Sequence, residues 1–346
     1  MEGINKVMHN IKKIQLFMNR EEYLDKVNDE FLSILYKYIP YKMIAGGGYS
    51  EMSFDARLSN KNKDFTESKY YYKGDKRFIH WTSVQNLMSI INYREIRLYN
   101  LHNSSDADEF TYSAEKLNLA DNQIDYSKKY LYTLSFCKSS ELDNPNLWKD
   151  YGKNYRGVAL EFEIVNNPSE WNNFMLSEVF YKTPNDFLEM EKGLNVFLKK
   201  YPDAKTYIDL GKLIAFHKKP NFSQELEIRL STYFPFNNTE EYEKFCNTEF
   251  RFNKGRPRET NYFGLKLWVD NESPFVKSDK PKLDRRLCAS ESYFAENPQI
   301  KITDIHFGKN CGISNEEFIP FCTKLKHITH LKFGYEIKNL KFNLYG

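Results

Sequence analysis

The sequence has no apolar run of about 18 residues, the length at which a segment reads as a membrane-crossing helix. Nor does its N-terminus show the charged-then-apolar form of a secretory signal. A soluble, cytoplasmic protein that keeps off membranes is therefore expected. Cysteine is sparse, with five residues (Cys137, Cys246, Cys288, Cys311, Cys322) and no C-x-x-C pair. They form no ligand framework with the seven histidines, so no metal site is expected, and an odd, dispersed set fits a reducing compartment. Charge of one sign is also lacking: the net value of +3 is too small to argue for nucleic acid by itself. Gly46-Gly47-Gly48 lacks the G-x-x-x-x-G-K-S/T frame of a phosphate loop and reads as a flexible joint.

What is present is an ordinary soluble composition, 28% charged and 41% hydrophobic, with aromatics raised to 16%. A length of 346 residues suggests about two domains. From Ile4 to Tyr38 apolar residues recur at three-four spacing, and Pro40 ends the pattern. Residues 55–69 are polar and read as a linker. Residues 1–66 thus form an N-terminal helical appendage and linker, which packs on the core, on a partner or on a second copy in a homo-oligomer. Residues 67–346 form the core, with a mobile basic insertion near 237–260 carrying Arg251, Lys254, Arg256 and Arg258.

Within the core, Phe78-Ile79-His80-Trp81-Thr82-Ser83 reads as a short strand handing over to a helix capped by Ser83. Period-two alternation puts His80 and the Thr82 hydroxyl on one side, a pair able to grip a sugar or phosphate oxygen. Leu131–Cys137, Gly157–Phe162, Tyr262–Val269 and Ile300–Gly308 read as further strands, and 186–218 as mostly helical up to the basic cluster His217-Lys218-Lys219. Trp148 and Tyr151 share a helix face, and Gly152 places Tyr151 at a helix end, where its ring can face a cleft. In Glu225-Leu226-Glu227-Ile228-Arg229-Leu230 the alternation puts Glu225, Glu227 and Arg229 on one strand face. In a cleft, two such carboxylates would raise each other's pKa, while Arg229 would keep the nearer one ionised. Strand pieces separated by helices, without regular β-α-β repetition, predict an α+β fold.

In this order, His80-Trp81-Thr82-Ser83, the Asp106 and Glu109 loop, Leu134-Ser135-Phe136-Cys137, Trp148 with Tyr151, Gly157–Phe162, Glu225–Arg229 and Ile305-His306-Phe307-Gly308 resemble the bacterial family filed as domain of unknown function 2971, over residues 77–340. The acidic loop departs from that family's Asn-Asp-Pro form. More loosely, a His on an early strand, a Tyr on a helix and a Glu on a late strand resemble the His-Tyr-Glu order of ADP-ribosyltransferases. That second resemblance implies a core of two small mixed sheets with NAD as the substrate cofactor between them. It implies that His80 and Thr82 hold the adenosine ribose, that Tyr151 with Phe136 stacks on nicotinamide, and that Arg229 lies with the cofactor-binding group. Glu227 would bond the nicotinamide ribose and Glu225 orient the acceptor, these two with His80 forming the catalytic set. The implied activity is ADP-ribose transfer to a macromolecule, protein or nucleic acid, or NAD hydrolysis, in a toxin or anti-phage defence setting. Two other readings stand beside it: a nucleotide- or nucleic-acid-binding module without catalysis, and a metal-dependent nuclease using Asp106, Asp108, Glu225 and Glu227.

Overall fold

Tyr23, Val27, Phe31 and Leu35 lie four residues apart, so one side of helix α1 (Arg20–Tyr36) is apolar along its length, and all four are buried. That stripe is where the N-terminal part of the chain joins the rest. In the computed structural model, which describes residues 20–50, 52–59, 61–103, 107–117, 119, 121–181, 185–233, 246–253, 256–270 and 291–343, Phe31 packs its ring against Phe54 and Phe197. Glu30 accepts from the Lys200 ammonium and the Tyr201 hydroxyl at 2.7 and 2.8 Å. The expected linker at 55–69 is not one. Strands β1 (Ile44–Ser50) and β2 (Ser53–Leu58) form a hairpin, and Phe54, Ala56, Leu58 and Phe65 are buried with α1 in one core cluster.

The chain then alternates strands and helices: β3 (Arg77–Thr82), α2 (Val84–Tyr93), β4 (Glu95–Asn100), α3 (Ala107–Lys116), α4 (Asp121–Tyr130) and β5 (Leu131–Lys138). Next come α5 (Pro145–Asp150), β6 (Val158–Ile164), β7 (Phe174–Glu178), α6 (Asn185–Lys200), β8 (Lys205–Asp209) and β9 (Ile228–Tyr233). β10 (Cys246–Asn253), β11 (Arg256–Lys266), α7 (Glu291–Glu296), β12 (Ile300–Gly308), α8 (Asn315–Phe333) and β13 (Asn339–Asn343) complete it. The fold is α+β, but its sheets are not the two small ones expected. β8, lying in a stretch read as helical, pairs parallel with β2 in a three-stranded sheet, and ten strands join in one branched sheet. Of the expected insertion at 237–260, residues 246–253 and 256–260 belong to the antiparallel hairpin β10–β11, which pairs on to β4. Residues 1–19, 237–245, Lys254 and the Ser104–Asp106 loop lie outside the described residues, as do the side chains of Arg251, Arg256 and Arg258.

β5 is the strand on which the large sheet branches. β4 meets it at Tyr132 and Thr133, β9 runs along it from Leu131 to Phe136, and β3 meets it only at Cys137 and Lys138. Its alternation decides what each face holds. Leu134 and Phe136 enter the main core with Ile228 and Leu230 of β9, whereas Ser135 lies opposite Arg229, itself opposite Ser177 of β7, on the other face.

Beyond α5 the chain makes a left-handed turn. Lys153, Asn154 and Tyr155 have φ of 51, 54 and 61°, a conformation costing L-residues roughly 1–2 kcal/mol each. Tyr155 stacks parallel on Trp148 at 5.4 Å, and its carbonyl accepts from the Asn310 amide at 2.9 Å. Any Cβ on Gly308 would strike the Tyr155 carbonyl, so the close approach needs glycine.

Because α1 contributes to a shared core, Phe31→Ala is expected to destabilise the whole protein by about 3–5 kcal/mol, the usual cost of emptying a buried aromatic site. Chemical denaturation followed by circular dichroism checks this. A loss of α1 signal alone, with the main transition unmoved, would show that the helix is an independent appendage.

Candidate functional site

Glu225 and Glu227 do not lie on a strand. Pro220–Glu225 is a 3-10 turn, Leu226 adopts φ 48°, and β9 starts only at Ile228. The left-handed Leu226 projects outward, 49% exposed, and both flanking carboxylates turn inward. Two contacts fix this corner: the Glu227 carbonyl accepts from the Val179 amide, and the Glu227 amide donates to the Tyr181 hydroxyl, each at 3.0 Å.

What they turn toward is a buried charge network. The Glu227 carboxylate accepts from Arg229 Nε at 2.5 Å and Arg229 Nη2 at 3.0 Å. It also accepts from Lys218 Nζ at 3.2 Å and from the Ser135 hydroxyl. Glu225 accepts from Lys218 at 2.5 Å and from the Tyr151 hydroxyl. Arg229 also donates to the Ala215 carbonyl at 2.8 Å and forms an ion pair with Glu109 of α3. All five charged residues are more than nine-tenths buried. Three carboxylates against two cations leave the cluster one negative charge in excess. Its exposed neighbours are Ser135 and Tyr151, the latter 44% exposed.

Burial alone would raise the Glu227 carboxyl, but Arg229 and Lys218 outweigh it and hold the group below its ordinary value, as a fixed anion. Burial likewise opposes the charges on Arg229 and Lys218. For Arg229, Glu109 and Glu227 prevail; for Lys218, Glu227 and Glu109 do; both stay cationic. Tyr151 is pushed well above its usual range by burial and by its bond to Glu225, and so remains a neutral donor. Burial also raises the Cys137 thiol, so this cysteine, which donates to the Glu225 carbonyl at 3.2 Å, is no thiolate nucleophile.

The structure therefore joins Glu225, Glu227, Arg229 and Tyr151. His80 and Thr82 stand apart, lining a small cleft of about 60 Å³ between α2 and β4 with Asn86, Glu95, Arg97 and Tyr99. His80 is half-buried, and burial holds its pKa below the ordinary value, partly offset by the Ser135 carbonyl 3.0 Å from Nδ1. Ser135 thus touches both groups, His80 through its carbonyl and Glu227 through its hydroxyl. Thr82 accepts from Asn86 at 3.0 Å. Phe136 cannot stack on a ligand: it is 2% exposed and packs against Phe78 and Phe162.

Two other phrases from the sequence meet on the same sheet face. Asp304, Glu161, Ile79 and Cys137 lie in one row across β12, β6, β3 and β5. Glu161 accepts from Ser139 at 2.7 Å and pairs with Arg77 at 2.8 Å, with His306 at 3.5 Å. Sequence reasoning missed Ser135, Lys218, Tyr181 and Glu109 as site residues. Lys218 and His217 read as a basic cluster but are buried, His217 against the Tyr70 hydroxyl at 3.0 Å. The signal for them was the apolar run Leu213–Phe216 just before, which continues inward. Among the described residues no group of three His, Cys, Asp or Glu is arranged to hold a metal ion, and Glu225 and Glu227 are already committed to cations.

Glu227→Gln would leave Arg229 and Lys218 short of one buried anion, an expected loss of about 3–5 kcal/mol. A carboxyl whose folded pKa is depressed contributes stability that is full above its unfolded pKa and lost as pH falls through the folded value. The penalty should therefore hold near neutral pH and shrink below about pH 4. Urea titrations of both proteins across that range check it, and a penalty independent of pH would contradict an ionised Glu227.

Residues 147–230, which include α5, Tyr151, Lys218 and the Glu225–Arg229 corner, match the family described as Protein of unknown function (DUF2971). That is narrower than the span 77–340 over which the sequence resembles it. No curated protein and no solved structure matches the chain, so the likeness to ADP-ribosyltransferases rests on the order of polar residues alone.

Proposed function

We infer that the protein is an NAD-consuming enzyme of ADP-ribosyl type, acting at the Glu225–Glu227 corner. The observation that supports this is the ionised Glu227, bonded to the hydroxyl of the exposed residue Ser135 and one ammonium away from the Glu225–Tyr151 pair. A site with one surplus buried negative charge and an exposed aromatic ring suits a flat cationic ring, through cation–π attraction and a fixed anion. Breaking the bond from ribose C1′ to the nicotinamide nitrogen sends the electron pair to nicotinamide, which leaves neutral. The positive charge passes to the ribose, where Glu227 stabilises it. The acceptor, water or a macromolecular hydroxyl or amine, then bonds to C1′ and gives its proton to solvent or to a carboxylate, for which Glu225 is placed.

The roles first expected change in three ways. Phe136 drops out, leaving Tyr151 as the ring that meets nicotinamide. Ser135 enters, since a ribose hydroxyl reaches Glu227 only past it. His80 and Thr82 drop out as well: the pairings Ile79–Cys137 and His80–Leu160 put them on the Phe136 face of the sheet, opposite the face that holds Ser135 and Glu227. A second reading is favoured by one observation: both Glu227 oxygens are already satisfied within the protein. On that reading the network is structural, and the face binds a nucleotide without chemistry.

Incubation of the pure protein with NAD, with nicotinamide measured by chromatography, separates the two. Release is expected from the wild type, with turnover lowered about 10²–10³-fold in Glu227→Gln, the loss typical of one electrostatic stabiliser. Tyr151→Ala should weaken NAD binding as well. Binding of NAD with no release by any variant would favour the second reading.

A further inference from the structure

The left-handed turn after α5 is a strained piece of backbone that the proposed chemistry does not use. It stands at the mouth beside Tyr151, and its surroundings are basic. Lys149, Lys153, Arg156 and Lys309 are all exposed, and none is ion-paired with a carboxylate among the described residues. Lys309 reaches the group from the turn just after β12, its ammonium 5.4 Å from the Tyr155 ring centroid. That ring stacks on Trp148, so one cation is seated on a rigid aromatic pair. From 148 to 157 the only acidic residue is Asp150. The whole-chain charge of +3 hides this local concentration.

Backbone bonds hold the turn in place. The Asn154 amide donates to the Lys149 carbonyl at 3.0 Å, the Gly157 amide to the Gly152 carbonyl at 3.0 Å, and the Asn310 side chain to the Asn154 carbonyl at 3.2 Å. Three exposed cations thus flank the exposed Tyr151 along a hydrogen-bonded turn, and a fourth sits on the Tyr155 ring of the same turn. Cations that track phosphates beside a ring on which a base can stack are the two parts of a single-stranded nucleic-acid surface. An acidic protein segment would need the cations but not the ring. A membrane surface would call for exposed apolar side chains beside them, and Tyr151 is the large exposed one in this stretch.

We propose that the turn Lys149–Arg156 with Lys309 binds single-stranded nucleic acid, presenting a nucleotide at Tyr151. This builds on the reading of the Tyr151 mouth as the functional face and names the macromolecular acceptor for it. The test omits NAD. Absence of nicotinamide release therefore leaves it untouched, and absence of binding leaves NAD chemistry standing with another acceptor.

Fluorescence anisotropy with a labelled single-stranded oligonucleotide of mixed sequence, over a salt series, measures affinity and its salt slope. Replacing Lys149, Lys153, Arg156 and Lys309 together by Gln should flatten the slope of log K against log salt by about 2–3, from roughly 0.7 per phosphate contact. Lys153→Gly is the single variant that cannot fail through misfolding of the turn, because glycine accepts its positive φ. It should melt no lower than wild type yet bind a few-fold more weakly. Absence of oligonucleotide binding at low salt overturns the proposal, as does an unchanged slope in the fourfold variant. So does equally tight, rim-dependent binding to anionic lipid vesicles or polyglutamate.

Discussion

Arg229 is the constraint around which this protein is built. A guanidinium 2% exposed on the middle of a sheet must have its charge met inside the protein, since desolvating an unpaired ion costs several kcal/mol. Its partners come from three places in the chain: Glu109 from α3, the Ala215 carbonyl from the 3-10 run before His217, and Glu227 from the corner leading into β9. Meeting that one charge fixes how α3 and the 211–216 run sit on the sheet. Ser135 of β5 and Lys218 then complete the coordination of Glu227. A buried ion network is poor value as pure stabilisation, because apolar packing would serve as well. Its presence at the mouth next to Tyr151 is what draws attention to this face.

Two opposite fields meet there. Inside, the network carries surplus negative charge on an ionised Glu227; outside, the turn after α5 carries unpaired positive charge. On the proposed reading the inner field favours a cationic ring and the developing charge on its ribose, while the rim favours phosphates. Tyr151 belongs to both, its hydroxyl tied to Glu225 and the residue 44% exposed.

Much of this was legible in the sequence wherever local pattern and fold agree. Ser83 does cap α2, accepting from the Asn86 amide, and Leu87, Ile90 and Ile91 face the core as their spacing predicts. β5, β6 and β12 form where the sequence predicts strands, although β6 and β12 are buried at nearly every position rather than on one face. The misreadings also have physical causes. Alternating Glu225, Glu227 and Arg229 look like one strand face, but a left-handed Leu226 gives the same sequence signature with a turn in place of a strand. Residues 55–69 look like a linker because Asp, Asn and Lys outnumber Ala56, Leu58 and Phe65, yet those few apolar residues are the buried ones. The pairing of β8 with β2, some 150 residues earlier, and the branching of the sheet at β5 are long-range choices that no local window contains. Lys218 was hidden for a related reason: lysine reads as solvated until a partner such as Glu225 is known to lie beneath it.

The most direct measurement of the central claim, that the Tyr151 mouth over the Glu225–Glu227 corner receives NAD, is the NMR signal of that ring. Protein carrying isotope-labelled tyrosine, with the resonance assigned through Tyr151→Phe, would be titrated with NAD under conditions of slow turnover. Saturable movement of the Tyr151 signal, with the fully buried Tyr132 moving far less, is the expected result. A Tyr151 signal that stays fixed while NAD is added to saturating concentration would contradict the claim and leave the charge network as scaffolding.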